Sequence, residues 1–199
     1  MHGLGVTRTV AGSVPAGLVP VLRALTQLGD VWFLTTLALL LFWLGPAVPL
    51  AEWDRRRGLV VLGAALAAFG ATGALKAVFA LPRPTLAASH VAGSGLLAEA
   101  ATATGYGFPS GHALGATAVY GTIAVLAGRG RRAVGAAGLL VTVVSLSRLV
   151  LGVHFLVDVL AGVFVGAVLV AFAAILAERP RALLELGLLF ALAWVATAG

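Results

Sequence analysis

The sequence predicts an all-α fold: a polytopic membrane helix bundle of about six transmembrane helices. Three observations predict it. Of 199 residues, 61% are hydrophobic and 10% charged, with a mean hydropathy of +1.08, where a soluble domain carries about 25% charged residues. Several stretches approach the roughly 20 apolar residues that a helix needs to cross a bilayer. The arginines cluster between those stretches instead of spreading over a surface.

Taken in order, residues 14–29, VPAGLVPVLRALTQLG, carry Arg23 and Gln27 and predict an interfacial helix, with an extra span as the alternative. Spans are expected near Val31–Leu50, Gly58–Leu81, His112–Ala127, Ala133–Leu151, Phe155–Ala177 and Leu183–Ala198. Gly and Ala crowd them, as in GAALAAFGATGA and the Gly162-x-x-x-Gly166 pair. Small residues let helix backbones approach closely in lipid, so a compact bundle is expected. Trp32, Trp43, Trp53 and Trp194 read as interface anchors or packing residues. The one long connection, residues 82–111, is rich in Ala, Gly, Ser and Thr, and loops of that length are usually functional or mobile. The N-terminal MHGLGVTRTVAGS lacks an apolar core followed by a cleavage site, so no signal peptide is expected.

The formal net charge of +6 does not predict a nucleic-acid partner, because of where the arginines fall. Arg55–Arg57, Arg129 with Arg131 and Arg132, and Arg179 with Arg181 occupy short loops on one side of the bundle. The positive-inside rule makes that side cytoplasmic. Residues 82–111, the link Gly152–His154 and both termini then face outward. Cysteine is absent, which excludes disulfides and thiolate metal sites.

Three polar islands collect on the outward side. The first is KAVFALPRP, Lys76 to Pro84. Its Lys76 and Arg83 stand about two helical turns apart, and Pro82 and Pro84 are expected to end the helix. The second is YGFPSGHALG, Tyr106 to Gly115. There Pro109-Ser110-Gly111 opens into an apolar helix whose free backbone N–H groups suit an anion, with His112 in the first turn. Ser110 also suits a helix cap, a role compatible with anion binding. The third is SRLVLGVHFLVDVLAG, Ser147 to Gly162, which carries Arg148, His154 and Asp158. Asp158 lies one turn from His154 on the same helix face. Ionisable groups at membrane depth cost roughly 2.5–3.5 kcal/mol each on insertion scales, so they mark function by default; the alternatives are a packing or hydrogen-bonding role for a lone histidine and, for Lys76, snorkelling to the interface.

Together the cations and backbone donors suit a tetrahedral oxyanion, for which an arginine offers a planar fork. One histidine can attack phosphorus while the other protonates the leaving oxygen. A carboxylate bonded to the attacking imidazole would fix its tautomer. The spacing alone leaves open which histidine attacks, with Asp158 modestly favouring His154. A zinc site on the two histidines and the aspartate is disfavoured, since Lys76, Arg83 and Arg148 would repel a cation. His2, His90 and Glu99 read as solvated loop residues.

The islands resemble the three-part signature of the type-2 phosphatidic acid phosphatase superfamily, in its integral-membrane branch. The pattern is Lys-x6-Arg-Pro, Pro-Ser-Gly-His and Ser-Arg-x5-His-x3-Asp. Lys76, Arg83 and Pro84 fill the first part, Pro109 to His112 the second, and Ser147, Arg148, His154 and Asp158 the third. The match runs in order over residues 76–158; PSGH alone would be weak, and three spaced parts together are specific.

The resemblance implies a single membrane phosphatase domain over residues 1–199, with 76–158 as its catalytic core and a phosphatidic acid phosphatase/haloperoxidase-type arrangement of helices. It implies a metal-independent phosphatase, without cofactor, acting through a phosphohistidine intermediate. By that analogy His154 is the nucleophile, Asp158 its orienting partner and His112 the general acid, while Lys76, Arg83, Ser110, Gly111 and Arg148 bind phosphate. Expected partners are membrane lipids and a lipid phosphate substrate: a polyprenyl diphosphate, phosphatidic acid or phosphatidylglycerol phosphate. Six-span relatives often place the first island after a third span, whereas here it follows the second. Either residues 14–29 form a true first span or the last span is a C-terminal addition. The competing reading is a membrane protein that binds or transports a phosphate head group without cleaving it. Such a pocket needs the cations but not His112, His154 and Asp158.

Overall fold

The computed structural model describes residues 15–47, 53–84, 105–128 and 130–198. His2, His90, Glu99, Arg129, the end of the first predicted span and most of the 82–111 connection lie outside the described residues.

The described residues form seven α-helices: α1 (Val19–Thr26), α2 (Val31–Leu44), α3 (Arg55–Phe79), α4 (Gly111–Leu126), α5 (Arg131–Val150), α6 (Leu156–Ile175) and α7 (Pro180–Ala198). α2 to α7 fall on the six predicted spans, most ends shifting by a few residues. α3, α5 and α6 are each long and apolar enough to cross a membrane. α1 and α2, joined through a short 3-10 turn and bent by 48°, form a fourth candidate together. At eight residues, about 12 Å at the α-helical rise, α1 is too short to cross alone. The chain is an integral membrane protein.

α4 has 16 residues, fewer than a full span, because it starts inside the bundle: its N-cap Ser110 is wholly buried. Ala113, Leu114, Ala116, Ala118 and Val119 behind it are buried as well. The largest helix contact is α3 against α7, followed by α4 against α6. Both are made by glycines. A Cβ at Gly70 would meet the Ala191 backbone nitrogen at 2.7 Å, and one at Gly166 would meet the Leu114 carbonyl oxygen at 2.8 Å. In lipid, where apolar side chains gain little by leaving one set of hydrocarbon for another, this close approach is what holds helices together.

The ends of the helices separate two chemistries. At one end, Asp54 caps α3 by accepting from the Arg57 N–H at 2.7 Å, and Arg56 pairs with Glu178, tying α3 to the α6–α7 turn. The other end gathers the close of α3, the start of α4, and the α5–α6 turn. α3 stops at Phe79, where Ala80 takes a left-handed conformation (φ 46°) just ahead of Pro82. The Gly107 N–H then donates to the Leu81 carbonyl at 2.8 Å, and the Phe79 and Phe108 rings meet edge-on at 5.1 Å. These contacts bring the first two islands together.

Candidate active site

The third island reaches the other two through a tight turn. α5 closes with the Leu151 N–H on the Ser147 carbonyl, and Gly152, at φ 68°, supplies the left-handed residue that reverses the chain. His154 lies in this turn and is 1% exposed. Asp158, in the first turn of α6, accepts from the Phe155 N–H at 2.8 Å, while its backbone carbonyl accepts from the Ser110 N–H at 2.9 Å. One residue thus locks the start of α6 to the start of α4.

His154 is held at both ring nitrogens. Arg83 Nη1 lies 3.1 Å from Nε2, and Asp158 Oδ2 lies 3.4 Å from Nδ1. A guanidinium only donates, so Nε2 must accept and Nδ1 carries the hydrogen toward the carboxylate. Burial, then the nearby Arg148, Arg83 and Lys76, hold this imidazole well below its ordinary 6.5. It is therefore neutral, with the Nε2 lone pair facing the cations. Arg83 also donates to the Gly105 carbonyl at 3.1 Å and the Val153 carbonyl at 3.2 Å, which aims its fork across the turn. Burial lowers the Arg83 guanidinium from its usual value, with Asp158 opposing; it stays a charged donor.

Arg148 is fully buried near the end of α5. Its Nη1 donates to Thr26 Oγ1 at 2.9 Å. Nε and Nη2 have no hydrogen-bond partner among the described residues, and neither has the Ser110 hydroxyl. Buried donors of this kind are costly unless something fills them. Beside them is a cavity of about 370 Å³ lined by Lys76, Arg83, Gly111, His112, Arg148 and His154, with Phe69, Val31 and Trp194 on its apolar walls. The first backbone N–H groups of α4 have no partner within the helix and add donors at Gly111 and His112. Ser147, by contrast, turns its hydroxyl back onto the Val144 carbonyl at 2.6 Å and is not part of the cavity wall.

Each sequence-predicted site residue is therefore at this one end of the bundle, and seven of them lie on the cavity or hold a residue that does: Lys76, Arg83, Gly111, His112, Arg148, His154 and Asp158. Ser110 sits directly behind as the buried N-cap. Sequence reasoning missed Thr26 and Asp30. Asp30 Oδ2 lies 3.7 Å from His112 Nε2. A lone carboxylate opening an apolar span was the available signal for it; Thr26 gave none.

A buried, cation-lined cavity flanked by two histidines, in a membrane bundle, defines an anion-handling membrane protein. The particular family is the PAP2 superfamily: its family model matches residues 57–182, and the chain belongs to it. The fold is similar to that of the transmembrane PAP2-type phosphatidylglycerolphosphate phosphatase from Bacillus subtilis. The TM-score is 0.70 at 25% identity, covering 88% of this chain and 84% of that one. No curated protein sequence matches the chain.

Proposed function

We propose that this protein is a lipid phosphatase that hydrolyses a phosphomonoester or diphosphate head group through a phosphohistidine, without a metal ion. The observation that carries the reading is His154 held in one tautomer between Arg83 and Asp158, its lone pair facing the cavity. Lys76, Arg83, Arg148, Ser110 and the Gly111 N–H bind the phosphoryl oxygens, and incoming phosphate draws Arg83 off Nε2. His154 then attacks phosphorus, Asp158 stabilises the charge that develops on the ring, and His112 protonates the leaving oxygen. Water cleaves the phosphohistidine in a second step. The cations that neutralise phosphate here would repel a metal ion. With the arginine-rich loops cytoplasmic, the site faces the extracytoplasmic side.

Membership of the superfamily and the similarity to a phosphatidylglycerolphosphate phosphatase favour a lipid substrate, as does the apolar wall of the cavity. Phosphatidylglycerol phosphate, phosphatidic acid and a polyprenyl diphosphate are the substrates to compare. The test is phosphate release from each by detergent-solubilised protein with excess chelator, beside a His154→Ala control. Release that survives chelation and is lost in the variant is expected. Folded protein that binds these lipids but releases no phosphate would replace the reading with non-hydrolytic head-group binding or transport.

A further inference from the structure

The elbow between α1 and α2 lies outside residues 57–182, so the family match assigns it no role. It is nevertheless built into the cavity. Thr26 accepts from Arg148, and the Leu28 carbonyl accepts from the Tyr120 hydroxyl at 2.6 Å. Gly29 packs on His112 itself: a Cβ there would stand 3.2 Å from the His112 carbonyl oxygen and 2.5 Å from Val144 Cγ1. Asp30 occupies the N-cap position of α2, yet its side chain makes no capping hydrogen bond. It faces His112 Nε2 instead, at 3.7 Å, an ion-pair distance. His112 Nε2 is buried and has no hydrogen-bond partner among the described residues.

The other charged or titratable groups acting on His112 are Lys76 from α3, Arg83 from the segment after it, Arg148 from α5 and His154 from the α5–α6 turn. All are cations or a second imidazole. Asp158 is committed to His154 and to the Phe155 N–H. Asp30 also acts on Arg148, and among the described residues it is the carboxylate within ion-pair distance of His112, as Asp158 is of His154.

We propose that Asp30 is the positioning residue of the proton donor: it accepts Nε2–H of His112, fixing the ring and leaving Nδ1–H for the substrate. This rests on the reading of His112 as the acid. As the bond from His154 Nε2 to phosphorus forms and the bond to the leaving oxygen breaks, the Nδ1 proton passes to that oxygen. His112 is left neutral, with its remaining hydrogen on Nε2 toward Asp30. When water attacks the phosphohistidine, its proton goes to Nδ1, inorganic phosphate leaves, and His154 and His112 return to their starting states.

The test compares Asp30→Asn, Asp30→Glu and His112→Asn on two substrates in detergent. One is phosphatidic acid, whose alkoxide leaving group needs a proton. The other is a nitrophenyl phosphate, whose leaving group does not. For Asp30→Asn the expected result is a kcat on phosphatidic acid lower by about 10- to 100-fold, part of the 10²–10⁴ that general acid catalysis supplies. KM and the nitrophenyl rate should stay within about threefold, and the alkaline limb of the phosphatidic acid profile should move to lower pH by about a unit or more. Asp30→Glu should recover part of the loss. Equal loss on both substrates, or an alkaline limb that does not move, overturns the proposal. His112→Asn separates the two claims. If it lacks the leaving-group dependence, the acid assignment itself fails; if it has the dependence and Asp30→Asn does not, only the role of Asp30 fails.

Discussion

Arg148→Met separates binding from folding. The wild-type guanidinium is fully buried, spends Nη1 on Thr26 and leaves Nε and Nη2 without a partner among the described residues. Hydrogen bonds to charged groups contribute about 1.5–3 kcal/mol each. Two of them on a phosphoryl group therefore amount to about 3–6 kcal/mol, or roughly 10²–10⁴ in kcat/KM. Folding has the opposite balance. Methionine removes two buried donors that each cost about 1–3 kcal/mol when unfilled. It also forfeits the Thr26 bond and orphans that hydroxyl, at comparable cost, so the substrate-free variant should stay within about 2 kcal/mol of wild type. The assay is thermal unfolding in detergent with and without orthovanadate. At 100 times its Kd, a ligand adds about 2.7 kcal/mol of stability. The variant, bound at least about 100-fold more weakly, should gain under about 0.5 kcal/mol at the same concentration. A variant that keeps the full orthovanadate-dependent shift, or that keeps wild-type kcat/KM, would refute the assignment of those two N–H groups to phosphate.

Three further outcomes follow from the geometry. Gly162→Ala would ordinarily favour a helix by about 1 kcal/mol, but its Cβ would stand 2.6 Å from the Ser110 carbonyl oxygen. It should instead destabilise by about 1–3 kcal/mol and lower kcat by displacing the Ser110 turn, read by thermal unfolding and phosphate release. Since His154 must be neutral to attack and is held well below 6.5, activity should persist as pH falls through 6.5. The acid limb of kcat/KM should appear only below that point; a limb above it would contradict the buried, cation-flanked imidazole. Arg56→Ala removes an exposed ion pair with Glu178, so stability should change by less than about 1 kcal/mol and activity not at all.

The helices were legible because lipid imposes a simple length rule on apolar runs, and α5 and α6 obey it within two residues. The cavity residues were legible because charges are rare in such runs, so Arg148, His154 and Asp158 stand out. What was not legible depends on chain reversal. Thr26 and Asp30 reach Arg148 and His112 only because the α1–α2 elbow bends by 48°, and no spacing rule links positions 122 residues apart. The tautomer of His154 needed three dimensions too. Spacing paired Asp158 with His154, but only the Arg83 contact at Nε2 reveals which nitrogen keeps its lone pair. The short α4 was legible as well: the expected span His112–Ala127 is offset by one residue from the observed Gly111–Leu126, because Pro109-Ser110 marks where the helix starts.

The most direct test of the central claim is to trap the covalent intermediate. Protein mixed with labelled phosphatidic acid and quenched in alkali within the first turnovers should carry one acid-labile, alkali-stable phosphoryl group. Peptide mapping should place it on Nε2 of His154, and His112→Asn should still become labelled with an aryl phosphate. Rapid phosphate release with no labelled protein at any quench time, or label on His112 instead, would contradict the account.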